Sequence, residues 1–346
     1  MPTSDSAVTS TSSATPACYP LQFRPMMYEK VWGGRALEKL GKTLPGDGAF
    51  GESWELADLA ATSASGAGGG AARSIISAGA LQGRTLADAM AAWGTKLLGR
   101  VKLAEGGRFP LLIKFLDAKE NLSVQVHPSP RYAIAYPAAK LKTECWYILH
   151  AEPSAVIYKG IKPGVTPELL EAHIRDDTVT ADLTAVAAVV GECHNLPSGT
   201  CHALGAGVLV AEVQTPSDTT FRVFDWGRTG RQLHVAEALA CIDFGPAPVA
   251  TFLPADLDTA RLISTEFFTL DAVLASTGEQ VELGRGAVAC EVLIVVKGGG
   301  MLRSLDGQFA PVRCELGSTT LIPHAVLAGA AFYPESESCL LRAVPR

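Results

Sequence analysis

Two stretches in the middle of this sequence recur in altered form near its C-terminus. Residues 145–160 (CWYILHAEPSAVIYKG) resemble residues 290–304 (CEVLIVVKGGGMLRS), and residues 195–204 (NLPSGTCHAL) resemble residues 319–327 (TTLIPHAVL). In each copy the pattern predicts a strand, a turn and a second strand, and then Pro and His ahead of a further strand. The repeat therefore predicts two copies of one β-barrel.

The length agrees with this organisation, because 346 residues suffice for two domains of roughly 100–200 residues each. We predict a mainly β protein in which two β-barrels are accompanied by a small number of helices. Residues 1–20 are rich in Ser and Thr and are predicted to form a mobile tail. The first barrel, which has helical insertions, is expected over residues 21–245, and the second over residues 246–346.

The spacing of apolar residues predicts two helices and several strands. Residues 86–98 carry apolar side chains at helical spacing after Thr85, a suitable N-cap. Thr166 and Pro167 mark the start of a second helix that extends to about residue 176. Strands are predicted at 51–58, 110–116 and 122–127, and a flexible surface loop at 62–73.

The charge balance and hydropathy exclude several classes of protein. Lys and Arg total 29 against 35 Asp and Glu, and this net charge of -6 argues against nucleic acid and anionic lipid as partners. No apolar run approaches the ~20 residues of a membrane span. The N-terminal segment lacks both the basic and the apolar region of a secretory signal. Eight scattered cysteines without C-x-x-C spacing predict reduced, buried thiols in a cytoplasmic protein.

Four polar residues form the strongest candidate site. Alternation over residues 122–127 places Gln125 and His127 on one face of a strand, so both point into the same space. Glu144 and His202, from later strands, supply a carboxylate and a second imidazole. This donor set suits Zn²⁺ or a similar divalent ion at a site left open to water or substrate.

Four longer segments, in and around the candidate site, have a distinctive amino-acid sequence. They are GESWELAD, PLLIKFLDAKENLSVQVHPS, KTECWYIL and PSGTCHALGAGVLVAEVQTPSDTTFRVFDWGR. Together they resemble the type I mannose-6-phosphate isomerase family, especially its short bacterial form. The resemblance runs in continuous order from about Tyr28 to Arg231 and is most specific over residues 197–228, whereas the C-terminal part matches only in general character.

The resemblance implies a metal-dependent protein with a cupin (jelly-roll) fold in each barrel. It also implies that the protein interconverts mannose 6-phosphate and fructose 6-phosphate, so that its binding partner is a small sugar phosphate. It implies one Zn²⁺ per chain, and other divalent ions suit the same ligands. Matched residue by residue, the expected metal ligands are Gln125, His127, Glu144 and His202. The family's active-site arginine falls on Arg222, an acidic residue near the site on Glu212, and two lysines on Lys142 and Lys114.

An aldose–ketose isomerisation moves a hydrogen between C1 and C2 through an enediol or enediolate, so it needs a base and a cation beside the developing oxyanion. Zn²⁺, Lys142 or Arg222 can supply the cation, and the sequence leaves Lys142 and Glu212 as alternative acid–base groups. Three further residues are expected to bind substrate: Lys114, Arg228, whose guanidinium suits a phosphate, and Glu55 of the GESWELAD segment.

Several alternatives stay open at this level. Another cupin isomerase, acting on glucose 6-phosphate, shares the expected fold, and fold alone does not separate substrates. A sugar-phosphate-binding regulator without turnover is a second alternative, although the intact candidate ligands argue against it. The second barrel repeats a histidine at His324 but offers no Gln-x-His or matching Glu, so we expect it to be metal-free. The sequence is compatible with a monomer or a homodimer.

Overall fold

The computed structural model describes residues 15–63 and 68–346. Residues 1–14 of the predicted tail and 64–67 of the predicted loop lie outside the described residues. The end of the predicted tail contacts the fold, because Pro16 accepts a hydrogen bond from the indole of Trp93 at 2.8 Å and Cys18 is buried.

Within the described ranges the chain forms 24 strands and six α-helices. The strands are β1 (Leu21–Arg24), β2 (Met26–Gly34), β3 (Phe50–Leu56), β4 (Asp58–Leu59), β5 (Ala72–Arg73), β6 (Ile75–Ile76), β7 (Leu112–Ala118), β8 (Val124–Val126), β9 (Glu144–Ala151), β10 (Val156–Ile161), β11 (Leu183–Ala187), β12 (Cys193–Leu196), β13 (His202–Leu204), β14 (Val208–Gln214), β15 (Phe221–Phe224), β16 (Thr259–Ser264), β17 (Phe268–Ala275), β18 (Val281–Glu282), β19 (Glu291–Lys297), β20 (Gly300–Ser304), β21 (Val312–Cys314), β22 (Thr319–Ile322), β23 (Ala330–Pro334) and β24 (Ser338–Pro345). The helices are α1 (Leu86–Trp93), α2 (Thr95–Leu98), α3 (Pro130–Ala135), α4 (Pro167–Arg175), α5 (Val235–Cys241) and α6 (His324–Leu327), with 3₁₀ turns at Ala36–Leu40, Glu105–Gly107 and Val179–Asp182.

The first barrel consists of two antiparallel sheets that face each other. The six-stranded sheet has the order β12-β9-β14-β7-β3-β2, and the five-stranded sheet has the order β11-β10-β13-β8-β15. Apolar side chains from both sheets, such as Trp146 of β9 and Leu204 of β13, meet between them. The five-stranded sheet is covered on its outer face by an apolar cluster to which α4 and α5 contribute. Its inner face is therefore available for polar residues.

The second barrel is built from a seven-stranded sheet, β16-β17-β24-β19-β22-β1-β6, and a four-stranded sheet, β18-β23-β20-β21. The predicted repeat is visible in the pairing. In the first barrel β9 pairs with β12 and β10 with β13, and in the second β19 pairs with β22 and β20 with β23. The prediction of a mainly β fold with two barrels and few helices is confirmed.

The N-terminal strand β1 belongs to the sheet of the second barrel, and the two barrels share one hydrophobic core. Strand β1, which the sequence-based division assigns to the first domain, pairs with β22 of the second barrel, Leu21 lying opposite Leu321. One large cluster of buried residues contains side chains of both barrels, including Phe115 of β7 and Leu293 of β19. The division at residue 245 remains a prediction, and β1 departs from it because it completes the sheet of the other barrel.

The two predicted helices are present. Thr85 and Asp88 form a reciprocal capping box at the start of α1, and Thr166 caps α4 by accepting from the amide of Leu169 at 3.2 Å. The first prediction was too long, because Gly94 adopts φ 51° and separates α1 from α2. Among the residues that the structure describes, no helix combines the length and apolar character needed to cross a membrane.

Candidate active site

Three buried side chains from separate strands meet inside the first barrel. His127 follows β8, Glu144 begins β9 and His202 begins β13, and one ligand atom of each lies within 4.8 Å of the others. Gln125 of β8 stands directly opposite His202 in the strand register. The structure therefore brings the four predicted ligands to the same place.

The five-stranded sheet supplies a row of polar side chains toward the barrel interior. Lys159, His202, Gln125 and Arg222 are successive cross-strand partners on β10, β13, β8 and β15, and such partners share one face of a sheet. Cys201, the neighbour of His202, belongs instead to the apolar cluster on the outer face. Strand alternation explains this separation of ligands from core residues.

Backbone carbonyls orient both histidines. Nδ1 of His127 lies 2.9 Å from the carbonyl oxygen of Thr219, and Nδ1 of His202 lies 2.8 Å from that of Thr200. A carbonyl only accepts, so each Nδ1 carries the proton and each Nε2 keeps its lone pair. A carbonyl partner on the far ring nitrogen is the arrangement found behind metal-ligating histidines.

The atoms that face each other lack well-directed hydrogen bonds. Nε2 of His127, Nε2 of His202 and Oε1 of Glu144 are buried without a hydrogen-bond partner, although His202 Nε2 is 3.1 Å from that oxygen. Buried polar atoms left unsatisfied in this way are rare and call for a bound group. Two imidazole lone pairs and a carboxylate fit a divalent cation such as Zn²⁺. Within residues 15–63 and 68–346 no second group of three His, Cys, Asp or Glu residues lies close enough to hold an ion.

Lys142 adds a positive charge beside this cluster. Its Nζ lies 2.7 Å from Oε2 of Glu144. Burial favours the neutral form of Glu144, but the ammonium of Lys142 outweighs burial and holds the pKa of this carboxyl well below its ordinary value. Burial also lowers the pKa of His127 to about 3, and Lys142 adds to that shift. The cluster therefore consists of a carboxylate and neutral imidazole at neutral pH.

A polar cavity of about 700 Å³, its open mouth included, adjoins this cluster through two of its lining residues, Lys142 and Gln125. Five of the predicted site residues line it, namely Lys114, Gln125, Lys142, Glu212 and Arg222. The other five do not line it: Glu55 and Arg228 point elsewhere, and His127, Glu144 and His202 are buried beside Lys142 and Gln125.

The cavity wall contains a continuous chain of polar contacts. The indole of Trp54 donates to Glu52 at 2.6 Å, and Lys114 lies 4.8 Å from the centre of the Trp54 ring. Lys114 Nζ is 3.8 Å from Glu52 and 3.1 Å from Glu212, and the indole of Trp146 donates to Glu212 at 2.8 Å. Both ends of this chain are aromatic, which leaves little rotational freedom to the charges between them.

The charges in this wall fix one another's ionisation. Burial disfavours the charge on Lys114, but Glu212 and Glu52 outweigh it and raise the pKa of the ammonium above its ordinary value. Burial likewise raises the pKa of Glu52, but Lys114 and Lys30 reverse this effect and lower it to about 2. Lys114 is thus a permanent cation at physiological pH, suited to binding oxygen atoms and unsuited to accepting a proton.

Two predicted substrate residues are placed elsewhere. Glu55 lies on the opposite face of β3 from Glu52 and Trp54, and its carboxylate binds Lys42 at 2.7 Å. Arg228 contacts Asp225 at 2.8 Å and the carbonyl of Asn121 at 2.7 Å. Strand parity places Glu55 on the far face, because residues 52 and 54 occupy the cavity face.

The cavity also contains residues that the sequence analysis did not single out. They are Lys30, Trp32, Glu52, Ser63, Leu116, Leu122, Ser123, Asp218, Thr220 and Arg231. Trp54 is more often a core residue on sequence grounds, but as part of GESWELAD it was also a candidate to frame the substrate mouth; it borders the cavity although it is only 1% exposed. Strand alternation within GESWELAD was the available signal for Glu52, because it places Glu52 on the opposite strand face from Glu55.

The chain was compared with known proteins. Residues 21–142 match the family model described as phosphomannose isomerase type I, catalytic domain. The chain is 36% identical over 263 residues to a mannose-6-phosphate isomerase of Bacillus subtilis (strain 168), which covers 72% of this chain and 78% of that protein. It is 36% identical over 262 residues to the mannose-6-phosphate isomerase of Streptococcus mutans, with 72% and 77% covered.

Similarity extends to three dimensions. The crystal structure of the mannose 6-phosphate isomerase from Bacillus subtilis matches with a TM-score of 0.78 at 27% identity, covering 94% of this chain and 99% of that chain. The alignment therefore includes both barrels, and the predicted cupin-like fold is confirmed.

Proposed function

Because the chain belongs to the type I phosphomannose isomerase family, we propose that it interconverts mannose 6-phosphate and fructose 6-phosphate. The observation that carries the proposal is the polar cavity of the first barrel, whose lining residues Lys142 and Gln125 adjoin the buried cluster of His127, Glu144 and His202. Five cations line it: Lys30, Lys114, Lys142, Arg222 and Arg231. A sugar phosphate offers an anion and several hydroxyls, which match such a concave polar site.

We propose that His127, Glu144, His202 and Gln125 hold one Zn²⁺, and other divalent ions would suit the same donors. When bound, the ion supplies Lewis-acid stabilisation of negative charge on a substrate oxygen. Gln125 lies opposite His202 in the strand register, and its amide oxygen would complete the ligand set at a site with room for substrate.

Lys142 is the group that we assign to proton transfer between C1 and C2. Its rival, Glu212, has Oε1 beside Lys114 at 3.1 Å and Oε2 bound by Trp146 at 2.8 Å. Glu212 is thus ion-paired with Lys114 through one oxygen and hydrogen-bonded through the other, and we assign to it the role of holding Lys114 toward the substrate. Lys142 lies at the cavity wall and contacts only Glu144 among the predicted ligands at ion-pair distance.

Arg222 is placed to stabilise the enediolate. One terminal nitrogen donates to the carbonyl of Gln232 at 2.8 Å, while its Nε is buried without a partner. This orients the guanidinium at the cavity and leaves a donor for substrate oxygen. Arg231 also lines the cavity and is held by Asp225 at 2.7 Å, so we assign the substrate phosphate to Arg231 instead of Arg228.

A coupled assay tests this proposal. Purified protein is given mannose 6-phosphate, and fructose 6-phosphate is followed with and without a chelator, alongside elemental analysis of the protein. We expect chelator-sensitive turnover and about one zinc per chain. Turnover on glucose 6-phosphate alone would support the alternative isomerase, and bound metal without turnover on either sugar would support a sugar-phosphate-binding regulator.

We also propose a cytoplasmic location. All eight cysteines are free and buried, which suits a reducing compartment. Titration of the denatured, unreduced protein is expected to find eight thiols per chain; fewer would indicate disulfides and argue against this location.

A further inference from the structure

Lys42 joins the two barrels at a point directly behind the cavity wall. Its Nζ donates to Oε2 of Glu55 on β3 at 2.7 Å and to the carbonyl oxygen of Gly317 in the second barrel at 2.7 Å. Both charged side chains are buried, at 8% and 4% exposure. The ammonium also lies 5.0 Å from the ring centre of Phe115 on β7. Lys42 is thus a buried cation held by groups from three elements.

The second-barrel end of this contact is rigid. The amide of Gly317 donates to the carbonyl of Val295 at 2.8 Å, which ties it to the seven-stranded sheet. Gly317 adopts φ +79°, and a Cβ at this position would lie 2.3 Å from the carbonyl oxygen of Leu40. Only glycine permits this close approach of two backbones. The approach brings the Gly317 carbonyl within reach of Lys42.

The β3 end of the contact adjoins the cavity. Glu52 and Trp54 point into the cavity, and Ser53 and Glu55 point to the other face. Ser53 donates to Oε1 of Glu55 at 2.5 Å, so both carboxylate oxygens are bound. The register agrees, because Trp54 lies opposite Lys114 and Ser53 lies opposite Phe115. Any shift of Glu55 therefore moves the neighbouring cavity residues.

We propose that the Lys42–Glu55 ion pair is a positioning device for the substrate cavity: it fastens β3 to the second barrel and so holds Glu52 and Trp54 in place. This inference rests on the proposed function. It gives the second barrel a part in substrate binding without any contact to substrate. Stability alone is a weak reason for a buried ion pair, since an apolar pair of similar volume is often as stable.

The test compares two buried ion pairs. Lys42→Met removes the fastening. Arg342→Met breaks the pair of Arg342 with buried Glu291, at 2.6 Å, which lies within the seven-stranded sheet and not at the cavity. Both variants are expected to lower Tm. Only Lys42→Met is expected to raise KM for mannose 6-phosphate, by about tenfold with kcat changed less than about threefold, because small displacements of binding groups are costly.

A double variant separates position from stability. Lys42→Met with Glu55→Gln leaves no unpaired buried charge, so Tm is expected to recover toward the parent. If the ion pair positions the cavity, KM stays raised in the double variant. Recovery of KM together with Tm would overturn the proposal, as would a KM within about twofold of the parent in both variants. If Lys42→Met alone does not fold, the double variant carries the comparison.

Hydrogen exchange supplies a readout that does not depend on turnover. Peptides covering β3 are expected to exchange at least about tenfold faster in the double variant than in the parent, and at the parent rate in Arg342→Met. Unchanged protection of β3 would overturn the proposal. A parent protein with no activity on mannose 6-phosphate would instead refute the proposed function, while the exchange comparison would still decide whether Lys42 fastens β3.

Discussion

The ammonium of Lys142 lies 2.7 Å from the carboxylate of Glu144. The residue to which we assign proton transfer is therefore in contact with a proposed metal ligand two positions along the chain. Both are buried, and their mutual attraction keeps the carboxylate ionised and available. This contact links the proposed proton transfer by Lys142 to the proposed metal binding by Glu144, and each of the two roles can be tested separately.

Removing the ammonium of Lys142 tests its role in proton transfer. Lys142→Met is expected to keep about one metal per chain and to lower kcat by 10² or more, since general acid–base groups contribute about 10²–10⁴. Lys140→Met is the matched control, because Lys140 is exposed and pairs with exposed Glu105 at 2.6 Å. Parent-like kcat in Lys142→Met would return the role to Glu212.

Removing a ligand tests the metal centre. His127→Ala and Glu144→Ala are each expected to lose metal and activity together, because about three protein ligands and an open position make a catalytic site. Elemental analysis after dialysis measures the metal. His173→Ala, which breaks a partly exposed contact with Asp182 at 2.7 Å, is expected to retain both. Stoichiometric metal in both ligand variants would refute the site.

Arg222 provides a test of charge stabilisation. Arg222→Ala is expected to retain metal but to lose about 10²–10³ in kcat, the cost of removing a donor to a developing oxyanion. Steady-state kinetics and metal content measure the two properties separately. Arg175→Ala, an exposed arginine 3.8 Å from Glu171, is the control and should match the parent. A near-normal kcat would remove Arg222 from the catalytic residues.

The pH dependence of the free energy of unfolding tests the ion pairs that Glu52 makes in the cavity wall. The pKa of Glu52 is lowered to about 2 in the folded protein, below the ordinary value of 4.5. Its ionised form therefore stabilises the fold above pH 4.5, and this contribution is lost as the pH falls from 4.5 toward 2. Urea denaturation of metal-free parent and Glu52→Gln should show a difference in unfolding free energy at pH 7 that shrinks below pH 4.5. A constant difference would contradict this assignment.

The contribution of strand β1 to the stability of the second barrel can be tested by substitution. Leu21 is fully buried opposite Leu321, so Leu21→Ala is expected to cost about 2–5 kcal/mol of unfolding free energy. Arg24 ends the same strand with an exposed side chain, and Arg24→Ala should change stability by less than about 0.5 kcal/mol. Denaturant unfolding measures both. Equal effects would show that β1 contributes little to the second barrel.

Local patterns in the sequence sufficed for much of the fold, and together with the family resemblance they supplied the proposed ligand set. Alternation placed Gln125 and His127 on one face, and the repeat of residues 145–160 at 290–304 appears as two equivalent strand pairs. Helix caps at Thr85 and Thr166 are contacts within four residues, so they can be predicted without the rest of the chain. Each of these depends on neighbours in the sequence.

The sequence was less informative about substrate residues. Glu55 belongs to the right segment, but its strand face depends on which side of β3 the cavity occupies, and that is a property of the assembled sheets. Arg228 and Arg231 are three residues apart and both bind Asp225, and only the folded loop decides which one lines the cavity. Glu52 and Glu55 carry the same carboxylate, and Arg228 and Arg231 carry the same guanidinium, so residue type does not show which member of each pair faces the cavity.

The sequence by itself determined the fold class, the two-barrel plan and the candidate polar residues of the site, because strand alternation, turn residues and the repeat are encoded over short distances. Tertiary structure decided which cations face the cavity, that β1 joins the second barrel and that Lys42 bridges Glu55 and Gly317. Leu21 and its partner Leu321, for example, are 300 positions apart in the sequence. The partners in such contacts are selected by packing and burial of charge, which no local pattern specifies.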